Sequence, residues 1–137
     1  MTESTPILEV KNLALKRGGT LVLDVPYFSL QEGEILSLIG PNGAGKTTLL
    51  QTLSYLLKPL QGELFFREKK VDTHYSALEY RRKLAMVFQE PLLFDTTVFN
   101  NVSSGLKIRG TEKSEIHSRV TDQLERFGIK HLSARSA

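Results

Sequence analysis

The fold of this chain depends most on residues 35–50, whose sequence is ILSLIGPNGAGKTTLL. The first part, Ile35–Ile39, is nearly all apolar, which is typical of a strand buried on both faces. Glycines at positions 40, 43 and 45 follow, and leucines at 49, 50, 53, 56 and 57 then share one helical face up to Pro59, which stops the helix. A buried strand, a glycine-rich loop and an amphipathic helix in this order predict an α/β fold.

The glycine-rich loop has the spacing G-x-x-x-x-G-K-[ST] that a phosphate-binding loop needs. Glycines let the backbone curl so that several N–H groups face one anion, and the helix that begins near Lys46 adds its positive end. Lys46 can reach the β- and γ-phosphates, and the Thr47 hydroxyl can coordinate Mg²⁺. The alternative is a glycine turn that joins a strand to a helix by chance. We predict that Mg·ATP binds through Gly40, Pro41, Asn42, Gly43, Ala44, Gly45, Lys46 and Thr47.

The residues before this segment predict a small antiparallel sheet. Ile7–Arg17 alternates apolar and polar residues, as a half-buried strand does, and Gly18-Gly19 follows as a turn. Two further short strands are expected at Leu21–Val25 and Tyr27–Leu30, with Pro26 between them marking an edge or a bulge.

The residues after the segment predict more strands and then a helix. Strands are expected at Gly62–Phe66 and Leu84–Phe88, the latter buried. The last third predicts a helix with Thr111 as its N-cap and Gly128 as its C-terminal glycine. The apolar residues of this helix repeat at helical spacing and are expected to pack on its own domain: Ile116, Val120, Leu124 and Phe127.

Composition narrows the classes of partner. The 137 residues carry a mild formal net charge of +3, and basic residues are scattered among acids, so no nucleic-acid partner is expected. There is no cysteine, which excludes disulfides and thiolate metal sites. No apolar run approaches the ~20 residues that a membrane span needs, so any membrane association is expected to go through a partner.

Residues 38–50 resemble the ATP-binding subunits of ABC transporters, and so do three other stretches. These are Leu23–Glu34, Lys58–Leu64 and the Q-loop region, which runs from Met86 to Phe94 and continues into Thr97–Val102. The resemblance covers nearly the whole chain. It implies a P-loop NTPase core at residues 34–95, an N-terminal antiparallel β-subdomain at residues 1–33 and an incomplete α-helical subdomain at residues 96–137.

The same resemblance implies roles for single residues. Lys46 and Gln89 would be catalytic, Thr48 would touch the α-phosphate, and Thr47 and Gln89 would contact Mg²⁺. It also implies a homodimer, with a second ATP-binding subunit, and a transmembrane permease that faces residues 94–105. Such a protein would be cytoplasmic and bound to the inner face of the cell membrane through the permease.

The sequence departs from the family's pattern in two places. Family members commonly carry an aromatic residue at the end of the first strand, where it stacks on adenine, and Arg17 takes that place here. A guanidinium plane can also lie on a base, so Arg17 either binds ATP or is purely structural. The signature motif, the Walker B strand and the switch histidine of the family do not occur in the sequence, so we expect the front part of an ATPase domain.

Three functions remain open at this stage. The first is the ATP-binding component of an importer of small solutes, an oxyanion such as tungstate, molybdate or sulfate, with ATP hydrolysed to ADP and phosphate. The second is a truncated nucleotide-binding module without hydrolysis. The third is a soluble ABC ATPase of DNA repair or translation, which would need no permease.

Overall fold

The structure is a computed structural model that describes residues 5–90 and 92–137. Met1–Ser4 and Pro91, which fall inside the predicted domains, lie outside the described residues. The chain forms two compact units, one ending at Met86 and the other beginning at Val87. The three-part division at residues 33/34 and 95/96 stays a prediction. In chain order the elements are β1 (Leu8–Arg17), β2 (Thr20–Leu30), α1 (Lys46–Leu53), β3 (Gln61–Phe66), β4 (Lys69–Lys70), α2 (Ala77–Arg81), α3 (Val98–Ile108), α4 (Lys113–Arg126) and a 3₁₀ turn (Lys130–Leu132).

The first unit is built on one antiparallel sheet with the strand order β2-β1-β3-β4. Gly18 and Gly19, both with positive φ, form the turn between β1 and β2, as predicted. β2 is continuous through Pro26, so the prediction of two separate strands is wrong. Because β2 lies at the edge of the described sheet, the missing N–H of Pro26 is tolerated there, which agrees with the expected edge position.

The hydrophobic core of this unit lies between the sheet and helices α1 and α2. Helix α1 packs on it through Leu53, which is buried, and Leu49, which is half-buried and one turn earlier. The helix ends at Leu53, earlier than Pro59, and Leu56 beyond its end is half exposed. The buried members of the core are Val10, Leu13, Leu53, Leu64, Val71 and Tyr80.

The two predicted buried strands at Ile35–Ile39 and Leu84–Phe88 are not found as strands. Ile35, Ile39 and Val87 are at least 95% exposed. A strand buried on both faces needs neighbouring strands for its backbone and helices for its side chains. No strand within residues 5–90 and 92–137 pairs with either segment, so apolar sequence alone does not bury them.

The second unit is a pair of helices, α3 and α4. Ile116, Val120 and Leu124 are buried and pack with residues of α3, so the predicted stripe is correct for these three. Phe127, the C-cap residue of α4, is 76% exposed, so its predicted burial is wrong. Glu112 takes the N-cap position predicted for Thr111, whereas Gly128 has φ 69° and terminates the helix as predicted. Over the described ranges, no helix combines the length and the hydropathy that crossing a bilayer requires.

Candidate functional site

Residues 40–45 form a loop that leads directly into α1, and all of them except the half-buried Gly45 are exposed. Gly43 and Gly45 have φ angles of 84° and 87°, a region that costs residues with a Cβ roughly 1–2 kcal/mol. The N–H of Ala44 donates to the Pro41 carbonyl at 3.2 Å, and that of Leu49 donates to the Gly45 carbonyl at 2.8 Å. The backbone is therefore curled, as predicted, and the helix begins at Lys46.

The ammonium group of Lys46 turns back onto this loop. Its Nζ atom donates to the Gly40 carbonyl oxygen at 2.7 Å and to the Pro41 carbonyl oxygen at 2.8 Å. An ammonium group has three donors, so these two bonds leave one for another acceptor. The lysine thus stands inside the curl of the loop and brings its positive charge to the start of α1.

The start of α1 suits an anion for a second reason. Gly45, the N-cap residue, offers no side chain to the N–H groups of the first turn, and that turn contains no acidic residue. The partial positive charge of the helix end is therefore not compensated by a neighbouring carboxylate. A phosphate group is the kind of ligand that such an end binds.

The first two threonines of α1 differ in exposure. Thr47 lies in the exposed part of the first turn, so its hydroxyl is available as a hard oxygen ligand, the type that Mg²⁺ prefers. Thr48 is half-buried, and its carbonyl accepts a hydrogen bond from the Thr52 hydroxyl at 2.7 Å. The donor set at this helix end therefore fits a phosphate with its magnesium ion.

Arg17 and the phosphate loop belong to the same unit. Arg17 is exposed at the last position of β1, where it pairs with Thr20. The β1–β2 hairpin passes close to the loop, because a Cβ built on Gly45 would lie 3.8 Å from the Val22 carbonyl oxygen. Contact between Arg17 and a bound base stays a prediction.

Gln89 and the glycine-rich loop belong to different units. Gln89 is exposed and belongs to the second unit, whereas Lys46 and Thr47 belong to the first. Its contact with Mg²⁺ therefore stays a prediction. Tyr80 was not among the predicted site residues; it is buried beside the other end of α1 and donates a hydrogen bond to it. The available signal was the sequence Ser76-Ala77-Leu78-Glu79, a capping box that marks a short helix carrying Tyr80.

Comparison with known proteins gives a consistent result. Residues 23–137 match the model of the family described as ABC transporter. The tungstate uptake system ATP-binding protein TupC of Peptoclostridium acidaminophilum is 39% identical over 133 residues, 95% of this chain and 58% of that protein. The spermidine/putrescine import ATP-binding protein PotA of Legionella pneumophila is 34% identical over 134 residues, 97% of this chain and 36% of that protein.

A solved structure shows the same fold. It is that of CbiO1 from Clostridium perfringens, described as part of the ABC transporter complex CbiONQ. The sequences are 34% identical and the TM-score is 0.78, with 96% of this chain and 54% of that chain covered. The predicted α/β class is confirmed. This chain spans between about a third and three fifths of the length of these relatives.

Proposed function

Because this chain belongs to the ABC transporter family, we propose that it binds Mg·ATP through the loop at residues 40–47 as the ATP-binding component of a membrane importer. The observation that supports this most directly is the position of the Lys46 ammonium group, which donates to the Gly40 and Pro41 carbonyls inside a curled, glycine-rich loop. This is the arrangement of charge and backbone that a polyphosphate requires.

Each part of the loop has a share in the proposed binding. The backbone N–H groups between Gly40 and Gly45 and those of the first turn of α1 donate to phosphate oxygens. The one remaining donor of Lys46 would be shared between oxygens of the β- and γ-phosphates, and Thr48 would contact the α-phosphate. The Thr47 and Gln89 side chains would hold Mg²⁺, which neutralises phosphate charge when bound.

Hydrolysis of ATP to ADP and phosphate is the second part of the proposal. Lys46 would stabilise the charge of the transferred phosphoryl group, and Gln89 would orient the attacking water. The family supports this activity, and the relatives named above are described as ATP-binding proteins of uptake and import systems. A phosphate-release assay tests it: release that Lys46→Ala removes supports turnover, and no release by the chain supports binding without hydrolysis.

The proposed partners are a second ATP-binding subunit, as in a homodimer, and a transmembrane permease. CbiO1 is described as part of the complex CbiONQ, which supports assembly with other subunits. The proposed contact with the permease is made by residues 94–105, which include Phe94, 62% exposed. This contact would hold the protein at the cytoplasmic face of the membrane. Co-purification with a multi-span permease tests it, and a chain that stays monomeric and alone with Mg·ATP contradicts it.

The solute proposed for the importer is an oxyanion of the tungstate, molybdate or sulfate class. The support is the 39% identity to the tungstate relative. The relative named for spermidine/putrescine import is 34% identical over a similar length. Tungstate uptake by cells that lack this protein, compared with polyamine uptake in the same cells, tests the solute class.

The central experiment is calorimetric titration of Mg·ATP into three proteins: the unchanged chain, Lys46→Ala and Lys58→Ala. Lys58 is an exposed lysine beyond the end of α1, so its variant removes the same charge elsewhere in the same unit. We expect Lys46→Ala to abolish binding and Lys58→Ala to preserve it. Unchanged affinity in Lys46→Ala contradicts the proposed site.

Arg17→Ala tests whether this residue contacts the adenine base of the nucleotide. If the guanidinium stacks on adenine, the variant weakens ATP binding more than it weakens pyrophosphate binding, because only ATP carries the base. Equal losses for the two ligands remove Arg17 from the nucleotide site.

A further inference from the structure

The last carbonyl groups of α1 accept hydrogen bonds, and some of these bonds come from a segment that is distant in sequence. A helix leaves its last four carbonyl groups without partners inside the helix. Here Gln51 accepts from the N–H of Leu56 at 2.9 Å, and Thr52 accepts from the N–H of Tyr55 at 2.9 Å. With Tyr55 at φ 57°, this is the left-handed termination that usually carries glycine.

The carbonyls of Leu53 and Tyr55 are bonded by α2 instead. The Tyr80 hydroxyl donates to the Leu53 carbonyl oxygen at 2.6 Å. The Arg81 guanidinium donates to the Tyr55 carbonyl oxygen at 3.1 Å. Two adjacent residues of α2 therefore hold the end of α1, although they follow it by more than 20 residues in sequence.

Tyr80 is itself held firmly. Its side chain is fully buried in the core, and its ring lies 5.5 Å from that of Phe66. Burial raises the pKa of its hydroxyl far above the ordinary value, so the group remains a neutral donor. Ser76 and Glu79 close a capping box at the start of α2, which fixes the short helix that carries Tyr80.

We propose that Tyr80 is a positioning residue for the phosphate loop: by holding the Leu53 carbonyl it fixes the axis of α1 and thereby places Lys46 and Thr47. Helix α1 has eight residues, so it is only ~12 Å long and behaves as one stiff rod. Its buried side rests on Leu49 and Leu53, and Leu50 on another side is 48% exposed. A rod held on one face can tilt unless its end is anchored, and a tilt at Leu53 moves Lys46 at the opposite end.

This inference rests on the proposed binding of Mg·ATP, and Tyr80→Phe tests it. The variant keeps the ring and removes only the hydroxyl. We expect Mg·ATP binding to weaken about tenfold in fully folded protein, since a displaced loop loses the equivalent of about one hydrogen bond to the phosphates. The matched control is Val71→Ala, which removes apolar atoms from the same core and lowers the melting temperature without changing a hydrogen bond of α1. We expect it to bind Mg·ATP as the unchanged chain does.

A second measurement needs no nucleotide. In the chain without nucleotide, amide hydrogen exchange at residues 49–54, whose N–H groups are bonded along α1, is expected to accelerate in Tyr80→Phe and to stay unchanged in Val71→Ala under strongly folding conditions. If the unchanged chain does not bind Mg·ATP, the proposed function fails, and the exchange experiment still decides the role of Tyr80.

Two results overturn the inference: wild-type affinity and exchange in Tyr80→Phe, or equal losses of affinity in Tyr80→Phe and Val71→Ala. If Tyr80→Phe does not fold, Arg81→Met takes its place, because Arg81 is exposed and its removal leaves the core intact. A smaller loss of affinity in the same direction supports the inference, and no loss overturns it.

Discussion

The Nζ atom of Lys46 lies 2.7 Å from the carbonyl oxygen of Gly40, six residues earlier, and this hydrogen bond joins the two ends of the phosphate loop. A second bond, to Pro41 at 2.8 Å, directs the ammonium group into the curl. The loop therefore holds its cation in place through its own backbone carbonyls. Such preorganisation reduces the ordering that binding must otherwise impose.

The first prediction concerns Lys46→Arg, which keeps the charge and changes its shape. An ammonium group is a compact point charge that can bond two carbonyls and a phosphate together, whereas a guanidinium group is a larger planar fork. We expect Mg·ATP affinity to fall by about tenfold or more, corresponding to about 1.4 kcal/mol. Isothermal titration calorimetry measures it. Undiminished affinity in Lys46→Arg would show that charge alone matters at this position.

The second prediction concerns Gly45→Ala, at the N-cap of α1. A Cβ here meets no close atom, the nearest being the Val22 oxygen at 3.8 Å, but φ is 87°, so the cost is one of backbone strain. We expect a loss of roughly 1–2 kcal/mol in the free energy of unfolding together with weaker Mg·ATP binding. Urea denaturation and calorimetry measure the two effects.

Gly110→Ala is the control for Gly45→Ala. Gly110 also has a positive φ, 75°, and open space around it, but it lies between α3 and α4. A similar loss of stability without any change in nucleotide affinity is expected. If Gly110→Ala weakens binding as much as Gly45→Ala does, the effect at Gly45 is not specific to the loop.

The curled backbone of residues 40–45 could be predicted from sequence because its geometry is set locally. Glycine conformations, the helix start at Lys46 and the reach of its side chain all depend on residues within a few positions of one another. The β1–β2 hairpin was predictable for the same reason, since the glycine pair alone produces the turn. Local chemistry therefore accounts for most of the candidate site.

The errors concern features that depend on distant partners. Ile35–Ile39 has the composition of a buried strand, but burial needs neighbouring strands, and none pairs with it among residues 5–90 and 92–137. The hydrogen bond from Tyr80 to Leu53 could not be predicted either, because it joins residues 27 positions apart through the packing of α2 on the core. Sequence periodicity indicates which face of a helix or strand is apolar, but it does not identify the element that packs on that face.

The third prediction concerns Gly62, where β3 crosses close to β1. A Cβ at this position would lie 2.5 Å from both the Asn12 carbonyl oxygen and the Leu13 Cα, and φ is 102°. Because both obstacles are backbone atoms, Gly62→Ala must push the strands apart. We expect a loss of about 3 kcal/mol or more in the free energy of unfolding, measured by urea denaturation.

Gly105→Ala provides the contrast to Gly62→Ala. Gly105 lies within α3 with no atom within 4 Å of a built Cβ. Alanine there should be neutral or should stabilise the protein by up to about 1 kcal/mol, since glycine is a poor helix former. Equal destabilisation by the two substitutions would contradict the close approach of β1 and β3.

The fourth prediction concerns Asn101, whose amide group holds the segment before α3. Its Oδ1 accepts from the N–H of Phe94 at 2.8 Å, and its Nδ2 donates to the Phe94 carbonyl at 3.0 Å. Asn101→Asp removes the donor and places a negative charge against carbonyl oxygens. We expect faster amide exchange at residues 94–97 with little change in the melting temperature. Gln123→Glu, the same chemical change on the exposed side of α4, is expected to leave that exchange unaltered.

The last prediction concerns pH and the start of α2. The Ser76 hydroxyl, and then the Ser76 backbone N–H, donate to the Glu79 carboxylate and lower its pKa below the ordinary value of about 4.3. A group whose pKa is lower in the folded state stabilises that state at pH values above its unfolded pKa. The stabilisation is then lost as the pH falls through the folded value.

The melting temperature should therefore decline less steeply between about pH 5 and pH 3 in Glu79→Gln than in the unchanged chain. Asp72 contributes in the same direction, because hydrogen bonds from the His74 and Tyr75 backbones lower its pKa, so part of the slope remains in the variant. Glu112→Gln is the control, since Glu112 caps α4 without a side-chain cap hydrogen bond. If Glu79→Gln and Glu112→Gln change the slope of melting temperature against pH equally, the capping box does not anchor α2, the helix that carries Tyr80.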